Sequence, residues 1–291
     1  MASLPEWVAG ARPRTLPAAV SPVAVGTGSA HSLGAADPGL AVLALVVALA
    51  LQVGVNYAND YSDGIRGTDA DRVGPPRLVG GGLAAPGTVR LAAFLCFGVA
   101  ALAGLALVAL SGAMVLLLVG AVAILAAWRY TGGNNPYGYR GLGEVAVFVF
   151  FGLVAVVGTT WSQAHALDVA TWAGATGVGL LACAILVANN LRDIPGDRVA
   201  GKRTVAVRLG ERRTRLLYVV LLGGAFVAAG LAALAHPWAL LALIAAPLAV
   251  PPVRRVLAGA GGAGLVGVLA ATGLTQLAYG LLLALGLAQT G

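Results

Sequence analysis

The sequence predicts an all-α integral membrane protein, a bundle of about nine transmembrane helices with loops capping one face. Three observations predict it. Of 291 residues, 59% are hydrophobic and only 10% charged, and the mean hydropathy of +0.90 is too apolar for a dissolved globular chain. Charge-poor runs recur along the whole length, each near the ~20 residues a helix needs to cross the hydrocarbon. All 18 Lys and Arg residues fall in the N-terminal segment, in alternate connections between those runs, or at the run ends that border those connections.

In chain order the expected spans cover 15–33, 38–58, 89–110, 112–130, 142–162, 170–191, 215–235, 238–254 and 262–287. The first follows Arg12 and Arg14 and has the form of a leader peptide. With more spans behind it and no soluble domain to export, it is read as retained. Pro17 and Pro22 weaken it as a helix, and Pro251-Pro252 close the eighth. Cys96 and Cys183 sit inside spans, without CxxC spacing, as small core residues. Trp7 and Trp161 lie where interfacial aromatics belong. The connections 59–88 and 191–214 are long, and each begins with Asn and Asp and runs into basic, Gly-containing sequence. That weak repeat is of the kind that places a site between two halves of a membrane bundle, so residues 1–291 are read as one domain.

The charges give the orientation. Arg12 and Arg14 precede the first span, Arg66, Arg72, Arg77 and Arg90 follow the second, and Arg129 and Arg140 follow the fourth. Eight basic residues from Arg192 to Arg215 follow the sixth, and Arg254 and Arg255 the eighth. The opposite connections carry His31, Asp37, His165, Asp168 and His236 but no Lys or Arg. The positive-inside rule then puts the N-terminus and the basic loops in the cytoplasm of a multi-pass cell-membrane protein. The net charge of +7 therefore records topology and contact with anionic lipid rather than affinity for nucleic acid.

The chemistry-bearing residues lie at two span ends. Asn59, Asp60 and Asp63 occupy i, i+1 and i+4, so on a helix Asn59 and Asp63 share a face with Asp60 at i, i+3 to Asp63, and Asn190, Asp193 and Asp197 at i, i+3 and i+7 form one stripe. Acids at membrane helices are costly and gather at function. Two facing carboxylate stripes repel unless a cation lies between them, and oxygen donors suit Mg²⁺ completed by substrate phosphates. Arg72 and Arg77 follow the first stripe, Lys202 and Arg203 the second, and all four suit a diphosphate. Asp69 is either a further ligand or base, or a solvated loop residue. Glu144 either pairs with Arg140 at i, i+4 or takes part in catalysis. Gly80-Gly81-Gly82 lacks the strand, helix and lysine of a phosphate cradle and reads as a hinge.

Asn59-Asp60-x-x-Asp63 and Asp193-x-x-x-Asp197 resemble the two aspartate motifs of the UbiA superfamily of intramembrane prenyltransferases. Where that family usually has another Asp four residues after Asp63, this chain has Gly67, with Asp69 two positions later. This departure, and Gly74-Pro75-Pro76-Arg77 in place of an Arg-Thr-x-x-Arg-Pro stretch, are similar to the menaquinone-pathway branch. So are Ala11-Arg12-Pro13-Arg14-Thr15-Leu16-Pro17, the run from Tyr139 to Glu144, Phe150-Phe151-Gly152, and Asn189-Asn190-Leu191-Arg192-Asp193 continuing to Gly201-Lys202-Arg203-Thr204. The resemblance covers residues 7–215, and the last three spans match in character only.

The resemblance implies a UbiA-like helical bundle. It also implies Mg²⁺-dependent transfer of a polyprenyl group from polyprenyl diphosphate to 1,4-dihydroxy-2-naphthoate, with loss of CO₂, yielding demethylmenaquinol. Asp60, Asp63, Asp69, Asp193 and Asp197 are the expected catalytic carboxylates. Asn59 and Asn190 join Asp60, Asp63, Asp193 and Asp197 as metal and diphosphate ligands. Arg72, Arg77, Lys202 and Arg203 are diphosphate contacts, and Tyr139 and Arg140 bind the naphthoate carboxylate or the diphosphate. Two rival readings stand beside this one. A transporter also has membrane acids and two halves, although its acids belong mid-span. Another UbiA-type enzyme would use 4-hydroxybenzoate, haem or a chlorophyll precursor.

Overall fold

The computed structural model describes residues 2–67 and 77–289, so Asp69, Arg72 and Gly74-Pro75-Pro76 lie outside the described residues. Among those described, the chain is helical with no strand. Helix α1 (Leu4–Ala11) leads through a 3₁₀ turn at Pro13–Thr15 to α2 (Pro17–Ser32), α3 (Pro38–Ile65), α4 (Pro86–Ser111) and α5 (Val115–Arg129). Then come α6 (Gly143–Ala164), α7 (Val169–Val199), α8 (Val205–Ala232), α9 (Pro237–Leu257) and α10 (Gly264–Leu287). Seven of them, α3, α4 and α6 to α10, are long and apolar enough to cross a membrane.

The expected first and fourth spans are shorter than the sequence implied. Helices α2 and α5 have 16 and 15 residues, a rise of about 24 and 22 Å, less than the ~30 Å hydrocarbon layer. Pro17 sets the start of α2 and the left-handed Gly112 (φ +72) separates α4 from α5, so the helices stop before the apolar composition does.

Other ends are set by caps. Asp37 accepts from Leu40 N at 3.0 Å to start α3, Asp168 from Thr171 N at 2.7 Å to start α7, and Thr204 from Val207 N at 3.3 Å to start α8. Helices α3 and α7 continue past the expected ends at 58 and 191 to Ile65 and Val199. Both acidic motifs therefore lie on helix and keep its 3.6-residue phase.

Helix α7 is the centre of the bundle, buried along most of its length against α8, α10, α2 and α6. Lipid tails supply no hydrophobic drive for helix association, so close packing and interhelical hydrogen bonds hold the bundle. A Cβ on Gly152 of α6 would fall 2.7 Å from the Gly179 Cα of α7. Tyr279 OH donates to Ala225 O at 2.9 Å, and Gln276 Nε2 donates to Val178 O at 3.3 Å. On the outside, Leu91, Leu95 and Leu102 of α4 are exposed, as a helix facing lipid allows. Within α6, a π-helical stretch at Phe148–Val154 carries the consecutive Phe150 and Phe151, both of which line a large cavity.

Candidate active site

That cavity has a volume of about 1220 Å³ and runs among α2 to α7. Ala48, Leu51, Leu105, Ile124, Phe150 and Val154 contribute to an apolar wall, and Asn59, Asp63, Asn190, Asp193 and Asp197 gather at its other end. The helical phase explains the gathering. Asn59 and Asp63 project from the last turns of α3, and Asn190, Asp193 and Asp197 from the last turns of α7.

The two motifs meet through Lys202. Its Nζ donates to Asp63 Oδ1 at 3.2 Å and lies 4.0 Å from Asp197 Oδ1, with all three side chains largely buried. Gly201, in the left-handed region (φ +71), turns the chain back after α7, and Lys202 N donates to Asp197 O at 2.8 Å. One ammonium thus serves carboxylates from both motifs. Tyr139 completes this group: its phenol donates to Asp63 Oδ1, and its ring has Lys202 Nζ 4.5 Å and the Arg66 guanidinium 5.5 Å from its centroid.

Neighbouring side chains hold these groups in place. Arg66 donates to the carbonyls of Thr131 and Gly133, and Thr131 Oγ1 donates to Asn59 Oδ1 at 2.7 Å. Arg192 forks onto Asp193, with Nε to Oδ1 at 2.7 Å and Nη2 to Oδ2 at 2.8 Å, and also reaches Asn189 Oδ1 at 2.8 Å. Asn190 Nδ2 donates to Glu144 Oε1 at 3.0 Å. Glu144 therefore has Asn190 as a partner, where one of its two sequence readings paired it with Arg140. Beside the site, burial pushes the phenol of Tyr137 up to about 12, and burial, then Glu144 and the neighbouring groups, raise that of Tyr130 further. Both stay protonated at neutral pH.

Several expected residues take other places. Asp60 follows Asn59 by one residue, about 100° around the helix, and turns away from the cavity. Its two oxygens accept from Leu78 N and Val79 N at 2.9 Å each, so it anchors the segment that carries Arg77. Arg77 itself is buried and lines the cavity. Arg140 and Arg203 have exposed side chains and do not line it. Their backbones form a clasp instead: Arg203 N donates to Tyr139 O at 2.8 Å, and Arg208 Nη2 donates to Arg140 O at 2.7 Å. Gly80-Gly81-Gly82 is a tight turn, with Gly81 N donating to Arg77 O at 3.0 Å, where a hinge was expected. Conversely, Arg66, Thr131 and Arg192 belong to the site although the motifs did not single them out. Charge and helical phase put Arg66 near Asp63, but nothing local marks Thr131.

Among the described residues no three Asp, Glu, His or Cys side chains form a metal cluster by themselves. The donors present nevertheless fit a hard cation that keeps open positions. They are oxygens only, from Asp63, Asp193, Asp197 and the two asparagines, and a positive charge already occupies the gap between Asp63 and Asp197.

The model of the UbiA prenyltransferase family matches residues 19–263, most of the chain. The chain belongs to the UbiA prenyltransferase family. As a UbiA prenyltransferase it is a membrane enzyme, not a carrier. It is 56% identical over 288 residues to a 1,4-dihydroxy-2-naphthoate octaprenyltransferase of Mycobacterium tuberculosis, covering 99% of this chain and 98% of that one. A protein of the same name from Escherichia coli is 42% identical over 260 residues, 86% of this chain and 84% of that one. Among solved structures, a UbiA homologue from Archaeoglobus fulgidus bound to GPP and Mg²⁺ matches with a TM-score of 0.67 at 15% identity. That match covers 96% of this UbiA prenyltransferase and 99% of the homologue, and it shows a shared fold.

Proposed function

We propose that this protein transfers a polyprenyl group from polyprenyl diphosphate to 1,4-dihydroxy-2-naphthoate at the cytoplasmic face of the cell membrane, releasing diphosphate and CO₂. The observation that carries the donor half is the convergence of Asp63 and Asp197 on Lys202, at the polar end of a cavity whose remaining wall is apolar. Near full-length relatives named for this naphthoate support the acceptor half.

In this reading Asn59, Asp63, Asn190, Asp193 and Asp197 hold Mg²⁺. When bound, the metal offsets negative charge gathering on the departing diphosphate. Lys202 and Arg77 donate to diphosphate oxygens from buried positions, where charge-assisted hydrogen bonds are strong. Arg192 keeps Asp193 in a single orientation. The apolar wall takes the prenyl tail and excludes water from the allylic carbon. The ring carbon bearing the carboxylate forms the new C–C bond as the allylic C–O bond breaks, its electron pair leaving with diphosphate. The C–CO₂ bond then breaks, and its electrons restore the aromatic ring.

The test is purified protein in lipid nanodiscs with Mg²⁺, polyprenyl diphosphate and a panel of aromatic acceptors, read by product mass and CO₂ release. Prenylated naphthoquinol with one CO₂ per product is expected. Prenylation of 4-hydroxybenzoate with no naphthoate product would overturn the acceptor assignment.

A further inference from the structure

A second polar group lies in the same cavity, deeper than the acids. Gln52, Asn56, Asn59 and Asp63 follow one another at i, i+4, i+7 and i+11 on α3, a single stripe, and all four line the cavity. Asn59 and Asp63 belong to the charged end. Gln52 and Asn56 sit about 10 Å further along the helix, at 1.5 Å per residue.

There they meet the segment after α1. Thr15 Oγ1 donates to Arg12 O at 2.9 Å, and accepts from Gln52 Nε2 at 2.7 Å and Asn56 Nδ2 at 3.1 Å. Because Thr15 spends its only proton on Arg12, Gln52 must present its nitrogen to Thr15, and the amide orientation is fixed. The Gln52 side-chain oxygen is left buried with no partner, although the residue is only 6% exposed. Nη2 of Arg12 is also buried with no partner. Arg12 is held in the left-handed region (φ 54), unusual for a non-glycine residue. Its amide donates to Ala9 O at 3.1 Å, and its carbonyl accepts from Thr15. In this conformation the side chain lines the cavity.

Buried polar groups are almost always hydrogen-bonded, so an unpartnered cationic donor and an unpartnered neutral acceptor, on two residues that line one cavity, point to a ligand carrying their complements. A prenyl tail has none, and the diphosphate belongs with the acids at the other end. The complements are a carboxylate for Arg12 and a hydroxyl proton for Gln52. We infer that Arg12 and Gln52 form the acceptor subsite, binding a hydroxyaryl carboxylate through its carboxylate and hydroxyl respectively. The stripe on α3 then sets the reaction geometry: diphosphate at Asn59 and Asp63, acceptor ring one to two helical turns deeper, where the allylic carbon enters the apolar wall.

The inference deepens the function proposed above and rests on its acceptor class. In nanodiscs, equilibrium binding of 1,4-dihydroxy-2-naphthoate and of 1,4-dihydroxynaphthalene, the same ring without the carboxylate, is compared for wild type, Arg12→Gln and Arg12→Lys. Wild type should bind the acid at least 30-fold tighter than the diol. Arg12→Gln should shrink that ratio below threefold by weakening the acid alone, Arg12→Lys should fall between, and donor KM should stay within twofold throughout. Gln52→Glu, which puts a negative charge on the wall that receives the carboxylate, should weaken the acid at least tenfold. If Arg12→Gln weakens acid and diol alike, or moves donor KM as much as acceptor binding, or if Gln52→Glu leaves acid binding unchanged, the subsite is wrong. Should wild type bind 4-hydroxybenzoate and not the naphthoate, the acceptor identity fails, while the comparison with phenol still decides Arg12. Tight binding only of acceptors without a carboxylate would overturn both.

Discussion

Lys202→Met keeps the length and most of the volume of the side chain and removes its charge, which isolates the electrostatic role of the lysine. The ammonium is 3.2 Å from Asp63 and 4.0 Å from Asp197, and the three side chains are 12%, 8% and 11% exposed. At 3.2 Å the first contact is a charge-assisted hydrogen bond, of net value about 1.5–3 kcal/mol. The second is an ion pair beyond hydrogen-bond range and adds less. In the proposed donor site Lys202 would exchange a carboxylate oxygen for a phosphate oxygen, so the variant should lose an interaction of similar size in donor recognition. A loss of about 2 kcal/mol corresponds to roughly 30-fold in kcat/KM for the donor. Initial rates over a matrix of donor and acceptor concentrations separate the two substrates, and acceptor KM should stay within twofold. A donor kcat/KM within threefold of wild type would refute the reasoning, because the lysine would then be only a counter-charge for the acids. Equal loss for both substrates would refute it too.

Four further outcomes follow from the same geometry. Asp63→Ala, Asp193→Ala and Asp197→Ala should each abolish turnover and leave a folded membrane protein, and a chelator should silence the wild type; full activity in any of these conditions contradicts the metal assignment. Asp60→Asn offers one acceptor to two backbone amides and should cost about 1–3 kcal/mol locally, read as at least tenfold faster hydrogen exchange at Leu78 and Val79, with unchanged exchange counting against the anchoring role. Arg192→Lys replaces a two-point fork on Asp193 by a single point and should lower kcat at least tenfold with the melting temperature within a few degrees; wild-type kcat would show that the fork is not needed. At the opposite face burial pushes the carboxyl of Asp168 up, but hydrogen bonds from Thr171 and the His236 ring outweigh it and hold it below the ordinary value. The folded form therefore has the lower pKa, so its stabilisation is complete above about 3.9 and is lost as pH falls through the folded value. Asp168→Asn should flatten the acid limb of melting temperature against pH, and an unchanged limb would rule the group out.

Periodicity and charge carried much of the site. Asn59 with Asp63, and Asn190 with Asp193 and Asp197, share a helical stripe whatever the neighbours do, because 3.6 residues per turn is a local property. Asp60 was legible as an acid but not as an anchor for Leu78 and Val79, since its direction depends on which side of α3 the 77–79 segment packs. Arg140 and Arg203 were legible as basic residues near the motifs, yet their side chains point outward while their backbones clasp. Arg192 reads in sequence as one more cytoplasmic charge, and only the burial of α7 makes it the partner of Asp193.

The two acid stripes, the lipid solvent and the gathering of basic residues in alternate connections were all determined by the sequence alone. Each depends on composition or on spacing within one helix. The tertiary structure decided which stripe faces the cavity, where Lys202 stands between two motifs, and why Arg12 and Gln52 are left with open hydrogen bonds. Those facts depend on how helices distant in sequence pack, and a single ammonium can face two carboxylates only after α3, α7 and the turn at Gly201 have come together.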